Sequence, residues 1–195
     1  YLYKLYLLIK NLSIYIILIS KYVTLLYNLS NYIMNSMIKE ILMYNLFLTG
    51  KIGIGKSTLL KRALKELNVS LGGYTTERVF EGYFRKYIIK SLYDNNTTYT
   101  ILKVDSRDNS KEHFIDSFEK GALSILDKSL KERNLIVLDE LGSAENDMSL
   151  FTDKVFKLLD SKKIVFGVLK ENDCDFLNAI MAREDVIVIT ITEDN

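Results

Sequence analysis

Leu46-Phe47-Leu48-Thr49-Gly50-Lys51-Ile52-Gly53-Ile54-Gly55-Lys56-Ser57-Thr58 is the stretch on which the fold turns. Its first residues make a short apolar run of the kind that forms a buried strand. Gly50 to Ser57 match G-x-x-x-x-G-K-[ST] without a mismatch. Beyond them Leu59, Leu60, Ala63, Leu64 and Leu67 share one helical face, with Lys61, Arg62, Lys65 and Glu66 opposite. Strand, glycine loop and helix together form a phosphate cradle. Gly50, Gly53 and Gly55 let the backbone wrap an anion with its N–H groups pointing inward. The helix start adds unpaired N–H groups and a partial positive charge. Gly50, Lys51, Ile52, Gly53, Ile54, Gly55, Lys56, Ser57 and Thr58 are therefore the candidate nucleotide-binding residues. Lys56 reaches the β- and γ-phosphates, and the Ser57 hydroxyl is a candidate Mg²⁺ ligand.

Such a site needs an acid to orient the metal. Asn134-Leu135-Ile136-Val137-Leu138-Asp139-Glu140 supplies four apolar residues and then two carboxylates at a strand end. Ligands of parallel α/β sheets lie at the carboxyl ends of strands, where both Gly50 and Asp139 fall. Asp139, accepting from Mg²⁺-bound water, is the second candidate metal residue. Glu140, pointing the other way if the strand continues, is the candidate catalytic group that polarises water, together with Lys56.

The remaining pattern is α/β. Phe114–Leu130, Met148–Leu159 and Asp175–Arg183 read as helices, and Lys163–Leu169 and Val186–Ile191 as strands. Their alternation argues a parallel sheet covered on both faces. Gly73–Thr76, Lys86–Leu92 and Thr97–Val104 are β-rich, with a turn signal at Asp94-Asn95-Asn96, and read as a hairpin insertion near the nucleotide edge.

Composition narrows the function classes. Of 195 residues, 48% are apolar and 26% charged, which suits a packed domain. Net charge is +1, so no nucleic-acid coat is expected. One cysteine (Cys174) and one histidine (His113) exclude a disulfide framework and a Cys/His zinc site. Neither is assigned a role. Glu77 and Arg78 could approach the γ-phosphate, but charges beside a strand are more often solvated.

Residues 1–36 differ from the rest. They use only Leu, Tyr, Ile, Lys, Asn, Ser, Val, Thr and Met, and carry three lysines and no acid. No A-x-A-like cleavage site follows an apolar run, which argues against a signal peptide. Two readings stay open. One is translated upstream sequence, with initiation near Met34 or Met37, because every residue type used there has A- and T-rich codons. The other is a membrane anchor, diluted by Asn28, Ser30, Asn31, Asn35 and Ser36 below the roughly 20 apolar residues of a span. The expected organisation is an atypical extension at 1–36 and a catalytic domain at 37–195, in the cytoplasm, with no membrane partner unless the extension anchors it.

From about Leu46 onward the chain resembles the P-loop nucleoside-triphosphatase family related to the human cancer-related nucleoside-triphosphatase. Gly73-Tyr74-Thr75-Thr76-Glu77 resembles its G-[FY]-x-T-E segment, and Gly82-Tyr83 the G-[FY] that follows. Asp139-Glu140-Leu141-Gly142-Ser143-Ala144-Glu145 resembles D-E-[IL]-G-x-[ML]-E, and Phe166-Gly167-Val168 and Ile191–Asn195 fit the last two strands. Ile52 stands where proline is frequent and Ala144 where a larger apolar residue is usual; relatives continue past the position of Asn195 into a terminal helix. The resemblance implies Mg²⁺-dependent hydrolysis of nucleoside triphosphates to the diphosphate and phosphate, with broad base use.

The expected fold is thus a three-layer α/β P-loop NTPase fold with a mostly parallel sheet. The adjacent acids Asp139 and Glu140 point to the RecA-like subclass, with Lys163–Leu169 between the loop strand and the Asp139 strand and Lys170 near the γ-phosphate. Slow hydrolysis is expected, because no arginine finger is assignable. Weak base selectivity is expected too, since Asn172-Asp173 lacks the lysine of an N-K-x-D guanine reader. The alternatives are a P-loop nucleotide or small-molecule kinase and a membrane-tethered nucleotide-binding switch.

Overall fold

The computed structural model describes residues 45–94 and 96–193. Both readings of the 1–36 extension lie outside the described residues. In chain order the elements are β1 (Asn45–Thr49), α1 (Lys56–Glu66), β2 (Leu71–Glu81), β3 (Phe84–Ser91), β4 (Thr98–Asp105) and β5 (Lys111–His113). There follow α2 (Ile115–Glu132), β6 (Leu135–Leu141), a 3-10 turn (Ser143–Glu145), α3 (Ser149–Leu159), β7 (Ile164–Leu169), α4 (Asp175–Met181) and β8 (Val186–Thr190).

Among the described residues, eight strands join one sheet in the order β5-β4-β3-β2-β6-β7-β1-β8. From β2 to β8 the neighbours are parallel, and from β2 to β5 they are antiparallel. β7 stands between β1 and β6, as the RecA-like subclass requires. The inner strands β6 and β7 are near-continuous apolar runs because both of their faces are covered. On one face α2, α3 and α4 bury Phe118, Phe151 and Phe176 with Tyr74, Phe47, Ile136 and Leu138. On the other, α1 lays Leu60, Ala63 and Leu64 on Leu48, Val137 and Val168. Full burial of one such leucine or phenylalanine contributes about 1.5–3 kcal/mol, so these clusters set the sheet's register.

The expected hairpin is built as part of the main sheet, and it leaves the carboxyl edge where β2 runs on past Thr75, the residue opposite Asp139. β3 and β4 extend the main sheet from its far side, with β2, β6 and β7 standing between them and the loop strand β1. The reason lies in β2, which is 11 residues long. Leu71–Thr75 pair in parallel with β6, and Tyr74–Glu81 pair antiparallel with β3. Polar Glu77 and Arg78 conceal the strand's second half from a periodicity reading. α2 is tied to the inner end of β2: the Gly73 N–H donates to Ser129 Oγ at 2.9 Å, and that hydroxyl donates to the Ile125 carbonyl at 2.6 Å. Among the described residues no helix is long and apolar enough to cross a membrane.

Candidate active site

β1 delivers its chain into the glycine loop at the carboxyl edge of the sheet. Gly50 has φ 133°, and a Cβ there would lie 2.4 Å from the Ile191 carbonyl oxygen, so only glycine fits against the exit of β8. Gly55, the residue before α1, has φ 105°, and no side chain caps the helix start. The first N–H groups of α1 therefore remain available to an anion.

Lys56 is 7% exposed, and its Nζ donates to the carbonyls of Gly50 at 2.7 Å and Lys51 at 3.0 Å. The ammonium thus occupies the centre of its own loop. Lys51, Ile52 and Gly53 form the exposed tip, with Ile54, Gly55 and Ser57 half-buried beneath it and Thr58 exposed on the helix. Ser57 points across the sheet, and its Oγ donates to Asp139 Oδ1 at 2.7 Å.

Asp139 is 1% exposed. Its other oxygen, Oδ2, is buried without a hydrogen-bond partner among the described residues. Burial pushes this carboxyl up to about 6, against the opposing pull of the Ser57 hydroxyl and Lys61. A buried lone carboxylate oxygen beside a serine hydroxyl is a hard oxygen donor pair, which suits Mg²⁺. No group of three or more His, Cys, Asp or Glu able to hold a metal occurs among the described residues. Two protein oxygens, completed by water and phosphate oxygens, match the way Mg²⁺ is usually held at phosphates.

Glu140 is the next residue, and β6 does continue past it to Leu141. The pairing with β7 shifts register between Asp139 and Leu141, which leaves Glu140 outside the ladder. Its carboxylate meets Lys170 Nζ at 3.1 Å, both side chains being partly exposed. Behind it, Glu145 Oε2 accepts the Gly142 N–H at 2.7 Å, and burial pushes the Glu145 carboxyl up.

Two groups here belong to the Gly73–Glu77 segment, in which the sequence reading gives neither of them a role in the site. The Tyr74 hydroxyl is fully buried without a partner among the described residues, its pKa raised by burial and then by Glu145, Asp139 and Glu140. Thr76 Oγ1 donates to the Asp139 carbonyl at 2.6 Å. Both come from the strand read as β-rich, and the register that sets Thr75 opposite Asp139 carries them there. The site's members thus come from the glycine loop, the start of α1, the carboxyl-end portions of β2 and β6, and the residue that follows β7. Arg78 is drawn away instead, its guanidinium 5.3 Å from the Tyr87 ring centre.

The NTPase family model, NTPase_1, matches residues 45–195. The nucleoside-triphosphatase THEP1 of Thermotoga petrophila is 31% identical over 153 residues, spanning 77% of this chain and 85% of its own length. The human cancer-related nucleoside-triphosphatase is 28% identical over 170 residues, spanning 77% of this chain and 90% of its own. The crystal structure of THEP1 from Aquifex aeolicus superposes with a TM-score of 0.63 at 23% identity, covering 77% of this chain and 91% of that one. That likeness speaks for the fold, and the family match for the kind of protein. The chain belongs to the NTPase family of enzymes, the nucleoside-triphosphatases.

Proposed function

We propose that the protein hydrolyses nucleoside triphosphates to the diphosphate and phosphate in a Mg²⁺-dependent reaction, slowly and with broad base use. The observation that carries this reading is the Ser57–Asp139 contact of 2.7 Å with Asp139 Oδ2 left unpartnered beside it. It joins the phosphate loop to the strand-end acid in a donor set suited to Mg²⁺.

The loop N–H groups and the start of α1 bind the β- and γ-phosphates. Lys56 leaves the Gly50 and Lys51 carbonyls and places its charge on the same oxygens. Ser57 and Asp139 would hold Mg²⁺, which supplies charge compensation on the phosphate oxygens. Glu140 orients and polarises the attacking water. Residues 37–195 are the catalytic unit in this reading.

The test is purified protein assayed for phosphate release from ATP, GTP, CTP and UTP, with Mg²⁺ and with a chelator, and without any acceptor. Release from all four that stops with the chelator supports the reading. A rate that appears only when a nucleoside monophosphate is added would make the protein a kinase.

A further inference from the structure

The Glu140–Lys170 ion pair is poorly placed to stabilise the fold, because both side chains are partly open to water and such pairs contribute little. It is nevertheless built with care. Lys170 directly follows β7, and its N–H donates to the Leu141 carbonyl at 2.8 Å, which ties it to the strand end that bears Glu140. Its carbonyl accepts the Asn172 N–H at 2.9 Å. The lysine stem crosses Gly142, where a Cβ would stand 2.7 Å from Lys170 Cδ. Gly142 has extended backbone that any residue adopts, so the glycine serves the stem and not the chain path. Glu145 in turn holds the Gly142 N–H. Glu140 itself lies outside the sheet ladder, so the ladder does not orient it.

Resting on the reading of Glu140 as the group that polarises water, we propose that Lys170 is a positioning residue that holds the Glu140 carboxylate in its working orientation. It acts through Glu140, and Gly142 is the gap that lets it reach.

The experiment is steady-state phosphate release by the full chain and by Lys170→Met, Lys170→Arg, Glu140→Gln and the Lys170→Met/Glu140→Gln double variant, with melting temperatures alongside. Lys170→Met should lower kcat about 10- to 100-fold, the loss expected when a reacting group is displaced by about 1 Å. KM should move by less than about twofold, because ground-state binding is untouched. Lys170→Arg should recover most of the rate, and melting temperatures should stay together. In the Glu140→Gln background Lys170→Met should have almost no further effect, the signature of two residues acting as one. Gly142→Ala offers an independent route, lowering kcat in the parent and not in Lys170→Met. An equal fold-loss from Lys170→Met in both backgrounds would overturn the proposal, since Lys170 would then act on the phosphate by itself. An unchanged kcat in Lys170→Met with an impaired Glu140→Gln overturns it too, while leaving the hydrolytic reading intact. If Glu140→Gln turns over like the parent, the assignment of Glu140 falls and this proposal falls with it.

Discussion

Ser57 and Asp139 stand 82 positions apart in the chain and share a hydrogen bond of 2.7 Å. The bond satisfies one carboxylate oxygen and leaves its twin buried and, among the described residues, unpartnered. A protein whose only concern was stability would not keep that arrangement, since a buried unpaired charge costs several kcal/mol.

Stability should therefore rise when the charge is removed. The Asp139 carboxyl titrates at about 6 in the folded protein, against an ordinary 3.8. The folded state holds this proton more tightly than the unfolded one, so the penalty is absent below about 4 and grows as the pH rises. It is complete above about 6. A shift of this size corresponds to roughly 3 kcal/mol. Asp139→Asn should stabilise the nucleotide-free protein by about 1–3 kcal/mol at pH 7 and by much less at pH 4 in urea denaturation, while abolishing Mg²⁺-dependent turnover. A variant less stable than the parent at pH 7 would contradict the account.

Binding should show the same proton. Mg²⁺ and H⁺ compete for Asp139, so affinity for Mg²⁺-ATP should be flat above about pH 6 and fall below it. The limiting slope is about tenfold per pH unit. Calorimetry between pH 5 and 8 would read it, and a profile flat down to pH 5 would remove Asp139 from the metal site.

Glu140 and Lys56 should fail in different ways. Glu140→Gln keeps size and hydrogen bonding, so it should retain Mg²⁺-nucleotide binding and lose about 10²–10⁴ in turnover, the usual share of general-base help. Lys56→Ala should weaken binding itself, because it deletes a ground-state contact as well as a transition-state one. Parent turnover should stay below about 1 s⁻¹ without an arginine finger, whose contribution is about 10³–10⁵. Fluorescent-nucleotide titration beside single-turnover kinetics separates the two variants.

Base selectivity should be weak, with kcat/KM values for ATP, GTP, CTP and UTP within about 1–2 kcal/mol of one another. The affinity comes from phosphate contacts common to all four. A preference above about a thousandfold for one base would show a reader elsewhere in the chain.

The sequence made some of this legible and hid the rest for physical reasons. Gly50 to Ser57 could be read directly because the loop's chemistry is local, each residue acting within a few positions of its neighbours. Asp139 followed from an apolar run ending in acids, and the place of β7 followed from the adjacent Glu140. Tyr74 was hidden because an aromatic residue in a strand reads as core, and Tyr74 is indeed core along its ring, packed edge-on to Phe118. Only the parallel pairing of β2 with β6 brings its hydroxyl close to the carboxylates. Gly142 was hidden for a similar reason, since the lysine stem that needs its missing Cβ arrives from residue 170. The second half of β2 was lost to Glu77 and Arg78, whose charges are tolerated where the sheet runs out beyond α1 and α2.

The sheet order also dictates a timetable. The loop strand β1 is the first described strand to leave the ribosome, yet its two sheet partners, β7 and β8, are the last. Until Ile164 emerges, β1 has neither of its described ladder partners, while β2 to β6 can already pair. The loop strand therefore waits for both edges of its ladder through most of the chain's synthesis. Insertion of β7 then slots a strand between two that were made long before it, and in that one late event the cradle and Asp139 first face each other.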